Sequence, residues 1–253
     1  MAVSLTVLKE AGDETRVAAT PETVKKMSGL GIKVTVEAGA GAAAGFDDTS
    51  YKQAGASVTK AINAVLEKSD VVFGVRAPAA ARINAMKANA VLVASLNPYQ
   101  NASGVKSYAK AKIQAMSMEL MPRITRAQSM DILSSQSNLA GYKAVLDATA
   151  EYGRALPMMM TAAGTVPAAR VFVMGAGVAG LQAIATAKRL GAIVSATDVR
   201  RAAAEQVESL GGTFVMVEAD DDSGETEGGY AKEMSADYQK RQQALVTEHI
   251  AKQ

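Results

Sequence analysis

Short apolar runs alternate with segments of helical period along the first half of the chain. "SLTVL" has the pattern of a strand, and Thr20-Pro21-Glu22 marks a helix start, with Thr20 as cap and proline at the first helical position. "IKVTVEA" alternates apolar and polar positions as a half-buried strand does, Asp47 or Asp48 suits the cap of a second helix, and "AINAVLEKS" has the period of a third. "DVVFGV" and "AVLVASL" are short apolar strands, and "KIQAMSM" follows the helix-like "GVKSYAKAK". Strands that alternate with helices predict a parallel α/β sheet.

Further on, Ile132, Leu139 and Leu146 recur at seven-residue intervals, with Val145 beside the last and Tyr152 continuing the stripe. That spacing predicts a helix of about twenty residues with the stripe as its apolar face. "GRALPMMMTAAGTVPAA" reads as an irregular connection, and a second α/β unit opens at "RVFVMGAGVAGLQ". The boundary is placed near residue 130: an N-terminal α/β domain over 1–130, then the linking helix and a second α/β domain over 131–253. "EADDDSGETEGG", acidic and glycine-bearing, is expected to be a mobile loop. The second domain shows three strand patterns, "RVFVM", "AIVSATD" and "TFVMV", and closes on the polar helical stretch "EMSADYQKRQQALVTEHIAKQ". A doubly wound domain has two βαβαβ halves. The second domain is therefore expected to lack its C-terminal half, with "RVFVM" left as an edge strand prone to aggregation.

The strongest chemical signal lies at the start of that second unit. "VFVMGAGVAG" runs a buried strand into Gly175-Ala176-Gly177-Val178-Ala179-Gly180. "LQAIATAKRLGA" follows as a helix with Lys188 and Arg189 in its last turn and Gly191 as its stop, and "AIVSATD" ends in Asp198, eighteen residues after Gly180. A lone glycine triad is weak; inside a strand–turn–helix–strand unit of about thirty residues it is the dinucleotide-binding pattern. Gly175 allows the tight turn, Gly177 lets a pyrophosphate approach the backbone, and Gly180 lets helix and strand pack closely. The helix N-terminus offers N–H groups and a positive dipole end to phosphates. Asp198 would accept hydrogen bonds from the adenosine ribose and repel a 2′-phosphate, so NAD(H) is favoured over NADP(H), although Arg200 and Arg201 follow at once. The bland alternative is a glycine-rich turn that binds nothing. "VEAGAGAAAG" mimics the motif with Gly39, Gly41 and Gly45, but its spacing is one residue too long and "FDDTS" stands where a helix should be running, so it reads as a loop.

Composition narrows the chemistry. The chain has 253 residues, no cysteine, no tryptophan, one histidine (His249) and a formal net charge of +2. Disulfides, thiolate nucleophiles and cysteine-ligated metals are excluded, a histidine triad or multi-histidine metal centre has no residues to build it, and neither nucleic-acid binding nor an acidic tail is indicated. No metal site is expected. No basic segment followed by an apolar run opens the chain, so no signal peptide is expected. The most apolar stretch, Ala155 to Ala187, is broken by Pro157, Pro167 and Arg170, and is not expected to span a bilayer.

"RITRAQSMDILSSQSN", Arg123 to Asn138, crowds arginine, glutamine, aspartate, serine and asparagine into sixteen positions. At a domain junction, where ligands tend to bind, such donors and acceptors suit a carboxamide, a ribose and a phosphate. A capped helix start with solvated serines accounts for the same residues.

The stretches "ETRVAATPE", "ELMPRITRAQSMDILSSQSNLAGY", "MMMTAAGTVPAARVFVMGAGVAGLQAIATAKRLGA", "ATDVR" and "EGGYAKEMS" together resemble the NAD(H)-binding subunit of proton-translocating nicotinamide nucleotide transhydrogenases. The resemblance runs essentially from end to end and is most specific from Glu119 to Tyr142. It implies direct hydride transfer between NAD(H) here and NADP(H) on a partner component, coupled to proton movement through a membrane component. It also implies a homodimer held peripherally on the cytoplasmic membrane face, and a subunit that continues beyond this sequence. By the same resemblance Arg123, Gln128 and Asp131 set the nicotinamide and its ribose, with Gln128 in the positioning role and Ser134 assisting, while Arg126 is left as a surface charge. The nucleotide contacts then comprise Gly175, Ala176, Gly177, Val178 and Gly180 in the turn and Asp198, Val199 and Arg200 after the second strand. "EGGYAKEM" matches a loop that closes over bound nucleotide, with Gly228 and Gly229 as its flexible part and Tyr230 as its lid contact. Direct hydride transfer needs placement and exclusion of water, not a protein acid or base.

Two other readings are carried forward. Alanine dehydrogenase shares the fold and N-terminal patterns, Arg16 included, but needs a lysine and a histidine at its pyruvate site; the positions aligned through "VVFGVRAP" and "VASLNPYQ" are Gly74 and Asn97. The other reading is a non-catalytic NAD-binding fragment.

Overall fold

The computed structural model of the chain describes residues 2–122, 124–217 and 234–253. The chain divides into two compact units, Met1–Ile132 and Leu133–Gln253.

The first unit runs β1 (Ser4–Val7), α1 (Pro21–Gly29), β2 (Lys33–Glu37), α2 (Asp48–Gln53), β3 (Ser57–Thr59), α3 (Ile62–Leu66), β4 (Val71–Arg76), α4 (Ala80–Ala85), β5 (Val91–Ser95), α5 (Ala102–Lys110) and β6 (Gln114–Ser117). Thr20 caps α1 and Asp47 caps α2, each side chain accepting from a backbone N–H three residues on. The six strands are all parallel, in the order β3-β2-β1-β4-β5-β6. That is the doubly wound order, and it puts helices on both faces. Val24 and Tyr51 pack with Leu5, Val7 and Val36 on one face. Ile62, Leu66, Ile83 and Tyr108 pack with Val72 and Leu92 on the other. Burial on both faces explains why "DVVFGV" and "AVLVASL" are continuous apolar runs instead of alternating ones. The Gly39–Gly45 segment is a turn with a short 3-10 helix at Ala42–Ala44, and the next α-helix begins only at Asp48.

The second unit opens with α6 (Ile132–Glu151), a helix of 20 residues. Its apolar stripe differs from the expected one. Of the expected stripe Val145 is buried and Ile132 and Leu146 half-buried, but Leu139 is 57% and Tyr152 41% exposed, and the other buried position is Gly141. Steric fit decides this. A Cβ at Gly141 would lie 2.0 Å from the Ala179 carbonyl oxygen, so the glycine is where the backbones meet. Gly141→Ala should therefore destabilise the unit by about 2 kcal/mol, the overpacking penalty outweighing the roughly 1 kcal/mol gain in helix propensity. A lowered urea midpoint would show it; an unchanged or raised midpoint would contradict the close contact.

After α6 the segment expected to be irregular contains an antiparallel hairpin, β7 (Met159–Thr161) and β8 (Gly164–Val166). All six of its residues are exposed, so no alternation of burial marked it in the sequence. The remaining elements are β9 (Arg170–Met174), α7 (Val178–Arg189), β10 (Ile193–Thr197), α8 (Ala203–Ser209), β11 (Thr213–Phe214) and α9 (Ala236–Ile250). The strands form a parallel sheet in the order β11-β10-β9. Among the described residues β9 pairs with β10 alone, and an apolar groove of about 350 Å³ lies beside it, walled by Val145, Ala148 and Tyr152. Val194 and Ala196 of β10 pack with Ile184 and Ala187 of α7. Ser195 and Phe172, in register with each other, project from the opposite face. There the terminal helix docks. The His249 ring lies 4.7 Å from that of Phe172, and Nε2 is 2.7 Å from Ser195 Oγ. Among the described residues no helix is long and apolar enough to cross a membrane.

Candidate functional site

The glycine turn joins β9 to α7 through backbone geometry that side chains would obstruct. Gly175 has φ +97°, in the left-handed region, and its N–H donates to the Thr197 carbonyl at 2.8 Å. Gly180 sits one turn into the helix, where a Cβ would lie 1.8 Å from the Gly175 carbonyl oxygen. At Gly177 a Cβ would meet nothing within 4 Å, so the backbone there faces open space. Gly177 is also the N-cap residue of α7, and no side chain caps the helix. The first N–H groups of α7 thus lack the side-chain acceptor that closes α1 and α2. An uncapped helix start behind open backbone can receive an anionic group.

Asp198 follows β10 and is 8% exposed. Its Oδ2 accepts from the Ala176 N–H at 2.7 Å and from Arg200 Nη2 at 2.9 Å. Its Oδ1 accepts from the Arg200 N–H and Nε, both at 2.9 Å. Burial alone would raise the carboxyl pKa; the Arg200 guanidinium and the Arg200 and Ala176 N–H groups outweigh it and hold Asp198 below the ordinary carboxylate value.

Between the turn and the end of β10 lies a cavity of about 460 Å³, within the range of small-molecule sites. Met174, Gly175, Thr197, Asp198 and Val199 form one side. The other is α9, through Gln239, Gln242, Gln243 and Val246. These four were missed in the sequence, where "EMSADYQKRQQALVTEHIAKQ" read as a polar tail. Their spacing of i, i+3, i+4 and i+7 is the signal that places them on one helix face. Tyr238 beside them is 3% exposed. Burial first, and then the negative charge of Asp198, raise its phenol pKa.

The structure thus brings Gly175, Ala176, Gly177, Val178, Gly180, Asp198, Val199 and Arg200 into one region of the second unit. Gln128 lies in a 3-10 helix, Thr125–Met130, at the end of the first unit; its side chain is exposed, while Ala127 anchors the turn at 4% exposure. Asp131 follows the turn and Ser134 lies in the first turn of α6. Arg123, Gly228, Gly229, Tyr230 and the acidic stretch before them lie outside the described residues.

In the first unit, the positions aligned with the lysine and histidine that an alanine dehydrogenase needs are Gly74 and Asn97. A Cβ at Gly74 would stand 3.0 Å from the Arg76 carbonyl oxygen and 3.5 Å from Glu10 Oε1. Asn97 has φ +48° and donates its N–H to Glu119. Arg16 is clasped by Glu14 through Nε and Nη2, both at 2.7 Å. The Arg16 hydrogen bonds hold the Glu14 carboxyl at about 2.

Glycine turn, crossover helix and terminal acid together form the opening βαβ unit of a doubly wound α/β domain. The chain belongs to the alanine dehydrogenase/PNT family: the N-terminal domain of that family matches residues 6–140 and the C-terminal domain residues 144–253. It is 55% identical over 247 residues to the first portion of the NAD(P) transhydrogenase alpha subunit of Rhodospirillum rubrum, covering 94% of this chain and 64% of that one. To the corresponding alpha-subunit portion from Rickettsia prowazekii it is 45% identical over 253 residues, covering 98% of this chain and 66% of that one. The crystal structure of transhydrogenase from Sinorhizobium meliloti superimposes with a TM-score of 0.88 at 54% identity, over 99% of this chain and 67% of that one. An L-alanine dehydrogenase structure gives a TM-score of 0.73 at 25% identity, over 84% of this chain and 60% of that one. The chain spans just under two thirds of the length of these two curated transhydrogenase relatives.

Proposed function

We propose that this chain is the NAD(H)-binding portion of a proton-translocating transhydrogenase alpha subunit, and that it positions the nicotinamide for direct hydride exchange with NADP(H) on a partner component. The observation that carries the reading is the cleft between the Gly175 turn and Asp198, with open backbone at Gly177 and an uncapped helix start behind it. Those features fit a dinucleotide: N–H groups for the pyrophosphate, and a buried carboxylate beside the second strand for the adenosine ribose. Bound NAD(H) would supply the hydride chemistry. The chain's own residues orient and enclose. Gly175, Ala176, Gly177, Val178 and Gly180 cradle the phosphates; Asp198, Val199 and Arg200 hold the adenosine end. Arg123, Gln128, Asp131 and Ser134 set the nicotinamide end, and Gly229 and Tyr230 close over it. No proton has to be moved by a side chain, which suits a chain whose one histidine is bonded to Ser195.

The complex would be completed by a membrane-spanning component and an NADP(H)-binding component, with this subunit peripheral on the cytoplasmic face. Homodimer formation is supported by the exposed apolar hairpin, where Met158, Met159 and Met160 are 61%, 43% and 79% exposed. Amino-acid oxidation is disfavoured by the crowded backbone at Gly74, where a lysine is needed, and by Asn97, where a histidine is needed.

One assay tests the reading. Mixed with an NADP(H)-binding component, the subunit should exchange hydride between NADH and NADP⁺ analogues and give no alanine-dependent NADH formation. Alanine-dependent formation of NADH, or NADH binding with no transfer in the mixture, would replace the proposal with one of the two other readings.

A further inference from the structure

Resting on the reading of this cleft as an NAD(H) site, we propose that Arg200 is a latent 2′-phosphate ligand. Asp198 keeps it out of use, so the ion pair, and not the carboxylate alone, sets which nucleotide the cleft accepts. The simple account of NAD(H) preference is that a carboxylate repels a 2′-phosphate. Here that repulsion is cancelled at close range. Arg200 lies 2.9 Å from Asp198 through three separate donors, so the pair is neutral as seen from the cleft. Arg201, which follows, is exposed and adds a positive charge. By charge alone these three residues would welcome a phosphate.

Geometry opposes it. A carboxylate has about four acceptor positions. All four on Asp198 are taken: one by the Ala176 N–H, one by the Arg200 N–H, and two by the two arms of the guanidinium fork. That fork is the shape that would grip a phosphate bidentately. It is held two residues from its own partner, with 19% of its side chain exposed, and the backbone N–H of the same residue bonds the same carboxylate oxygen. A ribose hydroxyl needs one acceptor position, which is gained when a single arm of the fork lets go. A 2′-phosphate needs both arms, and taking them would strand a carboxylate that is 8% exposed. The unphosphorylated ribose is therefore the easier guest.

The test is a set of NADH and NADPH titrations of the unsubstituted chain, Asp198→Asn, Arg200→Ala and the double variant, with folding checked by circular dichroism. Asp198→Asn keeps the shape and removes the charge that holds the fork. It should weaken NADH and tighten NADPH, each by about tenfold or more. Arg200→Ala uncovers the carboxylate and should weaken NADPH further. The double variant should lose the NADPH gain. Weaker NADH in Asp198→Asn with no NADPH gain, or a gain that survives in the double variant, would overturn the role of Arg200 and leave the NAD(H) cleft standing. NADH binding that is indifferent to Asp198→Asn, or absent from the folded unsubstituted chain, would remove the reading of the cleft and this inference with it.

Discussion

Gly180→Ala is expected to destabilise the second unit by about 2 kcal/mol and to abolish measurable NADH binding. The new methyl group would lie 1.8 Å from the Gly175 carbonyl oxygen, well inside contact distance, and the neighbour is backbone that has no rotamer to escape into. Overpacking of this kind costs about 1–3 kcal/mol, and a clash with fixed backbone falls at the upper end. The roughly 1 kcal/mol that alanine adds in helix propensity offsets only part of it. Relief requires α7 to move away from the turn, and with it the uncapped helix start at Gly177 and the Gly175 N–H bond to Thr197. Urea unfolding and NADH titration read the two effects separately. An alanine variant with an unchanged midpoint and unchanged affinity would show that the close approach of Gly175 and Gly180 is not needed.

Gln128→Asn should slow hydride transfer about a hundredfold in the reconstituted complex while changing NADH affinity and stability little. The expected loss follows from displacing a positioning group by about 1 Å, enough for a factor of that size. The structure makes the variant informative. Gln128 is exposed in its 3-10 turn, and no hydrogen bond to its side chain is found among the described residues. The turn is held instead by Ala127, whose N–H donates to the Ile124 carbonyl at 2.9 Å. Shortening the side chain by one methylene therefore disturbs no fold contact. Single-turnover transfer compared with equilibrium binding separates the outcomes. Equal losses of rate and affinity would make Gln128 an ordinary ligand contact, and a normal rate would remove it from the site.

The parts of this fold that were legible in the sequence are the ones encoded locally. The β9–Gly175–α7–β10 unit could be read because each residue's reason lies within a few positions: the left-handed φ of Gly175, the close packing of Gly180, and the basic last turn of α7. The cap at Thr20 was legible for the same reason, and that of α2 to within Asp47 or Asp48. What escaped depends on partners far along the chain. The order β3-β2-β1-β4-β5-β6 is fixed by pairing across the whole first unit, and short β3, with only three residues, carries no period of its own. The buried face of α6 is set by Ala179, nearly forty positions after Gly141, so the stripe of Ile132, Leu139 and Leu146 marked that face only in part: Ile132 and Leu146 are half-buried and Leu139 is exposed. The docking of α9 depends on Phe172 and Ser195, contacts that a polar helix does not announce. Of the candidate site, the glycines and Asp198 were visible; the engagement of Asp198 by Arg200 and Ala176 was not, because a sequence shows an acid's position and not what already occupies its oxygens.

The central claim is that NAD(H) binds in the cleft between Gly175 and Asp198, and calorimetric titration with NADH of the unsubstituted chain and of Asp198→Ser tests it most directly. The account predicts saturable binding to one site per chain, weakened in the variant by about 1–3 kcal/mol through loss of a charged acceptor. Equal NADH affinity in the two proteins would contradict it.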